Sequence, residues 1–301
     1  MTWNRGRFKS TLKKEKYIGY FFVAPALILF ILFVGYPLVA SAYLMFCDYN
    51  LITPPKFAGL TNIAKFFHDK EVPLVMLSSL KLLLVLVPVH VILGLALAYL
   101  VNRTGKKIST VYRVIIYIPT IMTTVSVATA WSYLYDTDFG VVNFFLGKLG
   151  IQKIPWLNSS TWAFWAIIIF SVWKFVGTPF LYYYIGLQNI PSSFYEAAEI
   201  DGAGSGQKFF YVTLPMLTPT IFMVIVLSLI SYIQCFDEPY VLTGGGPGIS
   251  TTTVSLYIYR NFQAQNISYA SILSVFLFVL IMAVTILQFK LSGKWVNYDT
   301  E

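Results

Sequence analysis

Of 301 residues, 57% are hydrophobic and only 11% charged, where an ordinary soluble domain carries about 25% charged residues. So apolar a composition excludes a water-soluble globule of ordinary kind. The net charge is +8, but the basic residues sit at the ends of apolar runs and form no stripe, so partnership with nucleic acid is not expected.

The chain opens with a basic tail over 1–17, followed by an apolar run from Ile18 to Phe46. That run is too long for a secretory h-region and lacks a small-residue cleavage site, so it reads as a retained first helix. Five further runs reach the roughly 20 residues needed to cross a hydrocarbon core about 30 Å thick. They are Val72 to Val101, Tyr112 to Tyr135, Thr161 to Leu187, Pro215 to Phe236, and Tyr269 to Leu291. Lipid tolerates no unpaired backbone, and these runs are too long for barrel strands. The expected fold is all-α: a polytopic membrane protein with six transmembrane helices over 18–291, a long connection over 188–214, and a second tail over 292–301.

Orientation follows from Lys and Arg near the span ends. Thirteen of the 21 fall on one side: Arg5, Arg7, Lys9, Lys13, Lys14, Lys16, Arg103, Lys106, Lys107, Arg113, Lys208, Lys290 and Lys294. Six fall on the other: Lys56, Lys65, Lys70, Lys148, Lys153 and Arg260. The richer side is read as cytoplasmic, which places both termini in the cytoplasm of a cell whose cytoplasmic membrane the chain crosses.

Two cations remain within spans. Lys81 lies near the outer end of its span and can snorkel. Lys174 lies near the middle of the fourth span, where an insertion scale charges about 2.5 to 3.5 kcal/mol; it should face the interior, on a solute path or in a structural hydrogen-bonding role. His90 stands alone among apolar residues, which suits a helix–helix hydrogen bond better than a metal. The fifth span brings Ser228, Ser231, Tyr232 and Cys235 to one face, with Gln234 beside them. That stripe suits either helix–helix contact or a sugar held at mid-depth. Cys47 and Cys235 are too few for a disulfide framework and are read as packing residues. The tryptophans, among them Trp131, Trp162 and Trp165, fit an interface belt or packing.

The fourth connection reads PSSFYEAAEIDGAGSGQKFFYVTLP from Pro191 to Pro215. Ser192 or Ser193 can cap a helix whose acidic residues Glu196, Glu199 and Asp201 follow, and Gly202 or Gly204 can end it. Glu196, Ala197 and Ala198, then three residues and Gly202, then nine residues and Val212, Thr213, Leu214 and Pro215, stand at the spacing of a loop that resembles the signature of ABC importer permeases. Only Val212 departs from that pattern. After the fifth span, FDEPYVLTGGGPGISTTTVSLYIY resembles the carbohydrate-uptake branch of that family, the maltose and glycerol-3-phosphate type. The likeness continues through FAGLTNIAKFF, LGLALAYLVNR and YIPTIMTTVSVATAWSYLYDTDFGVVN, and covers nearly the whole chain. Gly244 to Gly246, and the GAGSGQK run at Gly202, lack the Gly-Lys-Ser/Thr ending of a phosphate-binding loop.

The resemblance implies a type I ABC importer permease bundle, with Glu196, Ala197, Ala198, Asp201, Gly202, Leu214 and Pro215 in a loop that docks on an ATPase. It also implies a second permease subunit, two ATPase copies and an extracytoplasmic solute-binding protein. ATP and magnesium belong on the ATPase, and this chain itself is expected to hold no cofactor or metal. Lys174, Ser228, Ser231, Tyr232 and Gln234 are the candidates for a carbohydrate path. An ion-coupled carrier would be expected to place carboxylates in the bundle, whereas all thirteen acidic residues fall in tails, connections or span ends. A membrane enzyme would need a constellation that the isolated His68 and His90 do not provide.

Overall fold

The computed structural model describes residues 18 and 20–297. The basic tail over 1–17, with its six cations, and residues 298–301 of the second tail lie outside the described residues. Among the described residues the only strands are a short antiparallel pair, Cys47–Asp48 with Lys56–Phe57. Four helices are long and apolar enough to cross a membrane unbroken: Tyr20–Leu44, Glu71–Asn102, Ser160–Gln188 and Ile267–Ser292.

The expected third and fifth spans are not straight. The third is Lys106–Ile121 and Thr124–Leu134 joined at 94°, and the fifth is Ser205–Met216 and Thr218–Ile233 joined at 63°. Counting each bent pair as one crossing gives six spans. Prolines stand beside both breaks, where their missing N–H donors weaken the local helix. Pro119 sits in the last turn of its helix, after which Met122 and Thr123 are extended. Pro215 and Pro219 flank the corner at Leu217. The fifth span also ends at Ile233, short of Phe236.

Two compact units divide the chain: residues up to 68 with Asn261–Phe276, and Asp69–Arg260 with residues from Leu277 onward. In the first, the Asn62 amide donates to the Met45 and Cys47 carbonyls at 3.1 and 2.7 Å. The backbone N–H of Tyr49 donates to Ser268 Oγ at 2.7 Å, and Phe66 packs on Phe276. The most apolar stretch of Tyr20–Leu44 buries nothing within the chain. Lipid is as apolar as leucine, so such a helix needs no protein cover.

In the second unit, Glu71–Asn102 packs along Ser160–Gln188 and Thr218–Ile233. One core layer joins Leu82, Leu86, Ala128, Ile167, Phe170 and Leu242. Another joins Ala98, Phe180, Tyr183, Leu187, Leu217 and Val224. Helices approach closely where glycine removes a side chain: a Cβ on Gly94 would stand 2.9 Å from Pro179 Cβ. Small residues at such crossings are how membrane helices gain packing without a hydrophobic drive.

Candidate functional site

Within the second unit, the middles of Glu71–Asn102 and Ser160–Gln188 and the C-terminal half of Thr218–Ile233 line a cavity of about 320 Å³. Ser228, Ser231, Tyr232 and Gln234 all line it, as do His90 and Glu238. The volume is near the lower limit of small-molecule pockets, roughly 300–1,000 Å³. His90 is buried, and its Nδ1–H donates to the Leu86 carbonyl at 2.8 Å. Its Nε2 is then the acceptor for the Tyr232 hydroxyl at 3.1 Å, a tautomer assigned from these partners. The bond joins the second span to the fifth, as expected for an isolated intramembrane histidine.

Glu238 corrects the sequence reading that every acid lies outside the bundle. The segment after the fifth span folds back as a short helix, Asp237–Thr243, against Thr124–Leu134 and Ser160–Phe175. Leu242 anchors it in the core. Glu238 is only 6% exposed, and its Oε2 accepts from Cys235 Sγ at 3.3 Å. The helix ends at Gly244 and Gly245, whose φ values of 56° and 86° fit the turn read from the sequence. There the Arg260 guanidinium donates to the Gly244 carbonyl.

Lys174 is nearly fully buried but does not line the cavity. Its Nζ donates to three carbonyls, Pro119 at 2.5 Å, Thr120 at 3.1 Å and Met122 at 2.7 Å. These belong to the break in the third span, where the helix leaves its last acceptors unpaired. Thr120 Oγ1 returns a bond to the Lys174 carbonyl at 3.0 Å. An ammonium has three donors, so all are matched, and of the two roles left open the hydrogen-bonding one is what the geometry displays.

The 191–215 loop is exposed. Its helix runs Ser192–Ile200 and buries no residue. Neither serine caps it: Pro191 holds the capping position in extended geometry, and no side chain bonds there. Proline's fixed φ prepares the chain to enter the helix one residue earlier than a serine cap would. Gly202, at φ 77°, ends the helix, with the Ala203 N–H donating to the Ala198 carbonyl at 2.8 Å; this is the left-handed stop for which glycine is suited. The Tyr195 hydroxyl lies 3.0 Å from Thr213 Oγ1, and Lys208 pairs with Glu199 at 3.1 Å. From Thr213 the chain passes through Leu214 and Pro215 to Leu217, which is 1% exposed in the core.

The sequence profile of the family described as binding-protein-dependent transport system inner membrane component matches residues 90–297. The chain belongs to that family. This permease is 37% identical to the probable ABC transporter permease protein YesP of Bacillus subtilis, over 97% of its own length and 95% of that protein's. It is 34% identical to the trehalose/maltose transport system permease protein MalF of Thermococcus litoralis, over 93% and 95% of the two chains. A solved bacterial ABC transporter involved in import of the acidic polysaccharide alginate contains a chain with the same fold, at TM-score 0.82 and 23% identity, covering 97% of the permease and all of that chain.

The permease therefore is a multi-pass membrane transport subunit and not an enzyme. Its predicted residues form two groups. Ser228, Ser231, Tyr232 and Gln234 meet at the cavity, while Glu196, Ala197, Ala198, Asp201 and Gly202 lie on the exposed loop. The sequence reading missed Glu238 because a polar segment following a span looks like a connection. It missed Tyr195 because a tie across 18 residues leaves no spacing signal.

Proposed function

We propose that this permease is one subunit of a carbohydrate-importing ABC transporter, that its cavity forms part of the sugar's path, and that its 191–215 loop receives force from a partner ATPase. Trehalose and maltose in the name of a relative support a carbohydrate as cargo. The observation that carries the reading is the loop. An exposed helix with Glu196 and Ala197 open to a partner is tied through Tyr195 and Thr213 to a segment that ends at Leu217 in the core. Displacing that helix would move the base of the fifth span, whose Ser228, Ser231 and Tyr232 line the cavity. A second permease completes the path, two ATPase copies bind ATP and magnesium, and an extracytoplasmic binding protein delivers the sugar.

In this orientation both termini and the 191–215 loop are cytoplasmic, as the Lys and Arg asymmetry supports. Single cysteines in place of Gly150 or Gly248 should react with an impermeant reagent in intact cells, and those in place of Gly105 or Gly204 should not; the reverse pattern overturns the orientation. Uptake by the assembled transporter should stop with vanadate and persist with an ionophore. The opposite result would favour an ion-coupled carrier.

A further inference from the structure

We propose that Glu238 makes this permease select against anionic glycans, so that its cargo carries no uronate, sulfonate or phosphate group. The inference rests on the reading of the cavity as the sugar's path. Recognition of an acidic sugar calls for Arg, Lys or free N–H donors aimed at its oxygens. None of the residues lining the cavity is Arg or Lys, and its two charged side chains are both acids, Asp237 and Glu238. His90 is engaged through Nδ1 with Leu86 and through Nε2 with Tyr232. Lys174, the one buried Lys or Arg among the described residues, has all three donors on the carbonyls of Pro119, Thr120 and Met122 and lies outside the lining. It offers no proton to a solute in the cavity.

What the wall offers suits hydroxyl groups. A carboxylate is an acceptor with about four lone-pair sites, of which one on Glu238 meets Cys235 Sγ. Sugar hydroxyls can donate to the others in charge-assisted bonds. Ser228, Ser231 and Gln234 both donate and accept, and Tyr232 presents a ring beside them. A uronate would bring a second negative charge against an ionised Glu238, an arrangement in which like charges repel.

The test is equilibrium binding to the transporter assembled with its own partner permease and ATPase in lipid nanodiscs, without the binding protein, so that receptor preference plays no part. The probes are radiolabelled neutral di- and trisaccharides and their uronate counterparts. At least one neutral probe should bind about tenfold more tightly than its uronate, about 1.4 kcal/mol. Glu238→Gln should narrow that ratio to about threefold or less by strengthening uronate binding, while Glu238→Asp keeps it. Asp237→Asn, at an exposed position, should narrow it less. Equal affinity of the wild type for both classes overturns the inference by itself, whether or not any variant folds. So does a wild-type ratio that Glu238→Gln leaves unchanged in an assembled complex. Failure of every sugar to bind overturns the cavity's role as a sugar path, and the selectivity with it; binding without charge discrimination leaves that path standing and removes only Glu238's role.

Discussion

The permease bends twice, and the two bends are built differently. At the 94° corner of the third span, one buried ammonium holds three carbonyls, and Gly177 lies so close that a Cβ would stand 2.5 Å from Thr120 Oγ1 and 2.8 Å from the Ile116 carbonyl. Ahead of the 63° corner of the fifth span, the exposed Ser192–Ile200 helix is held by one Tyr195–Thr213 bond and one surface ion pair. Charge-assisted bonds out of water are worth far more than an exposed pair that solvent screens. The contrast separates a fixed corner from one that a partner can push. The third-span corner keeps Thr124–Leu134 in place as a wall for Asp237–Thr243, while the fifth-span corner is where force can enter.

The strongest way to break this contrast is to remove the pin. Lys174→Met strips three acceptors of their donor. Bonds to charged groups contribute about 1.5–3 kcal/mol each. Thermal unfolding of the purified permease should show a loss of about 3 kcal/mol or more. A loss under about 1 kcal/mol would mean that the corner holds itself and Lys174 is dispensable.

The movable corner should respond in activity instead of stability. Glu196→Lys reverses a charge on an exposed helix, and Gly202→Trp puts a bulky side chain at φ 77°, where any residue with a Cβ is strained. Each should weaken ATPase docking by about 2 kcal/mol, roughly thirtyfold, if it strikes an interface hot spot. Co-purification of the ATPase and receptor-stimulated hydrolysis are the readouts. Normal values of both for both variants would remove the loop from the coupling path. Gly177→Ala sharpens the other side: its methyl group has no room at the fixed corner, and overpacking should cost about 1–2 kcal/mol in thermal stability with ATPase docking unchanged. An unaltered melting temperature would mean the corner yields.

Hydropathy alone brought out the spans, because lipid demands about 20 apolar residues in a row whatever the tertiary contacts. The 71–102 and 160–188 helices were expected to within one residue at each end. The bends were less legible, although Pro119, Pro215 and Pro219 stood in plain view, since proline is tolerated inside membrane helices wherever neighbours satisfy the freed carbonyls. The carbonyls left open at the end of the first half of the third span are met by Lys174, 54 residues from Thr120 in sequence. The Ser228, Ser231 and Tyr232 stripe was readable from helical period. Glu238 was not, because only the return of Asp237–Thr243 onto the core turns a polar connection into a cavity wall.

The smallest expected effect is also the most specific to the movable corner. Tyr195→Phe removes a hydroxyl and keeps the ring, so the Ser192–Ile200 helix loses its bond to Thr213 with little change of surface. A typical neutral hydrogen bond contributes about 1 kcal/mol. Thr213 is buried and still donates to the Lys208 carbonyl at 3.3 Å, so no polar group is left stranded. Stability should therefore fall by about 1 kcal/mol or less, and ATPase docking should stay normal because the tie faces the fifth span and not the partner. What should change is transmission: with the tie cut, hydrolysis proceeds while less of each closure reaches Leu217, so fewer sugars should enter per ATP consumed. Glu199→Gln is the matching control, since the Glu199 side chain is 77% exposed and such pairs contribute about 0–1 kcal/mol. Sugar uptake and ATP hydrolysis measured together in proteoliposomes decide the matter. An unchanged ratio for Tyr195→Phe would mean that force passes along the backbone through Leu214 and Pro215 alone.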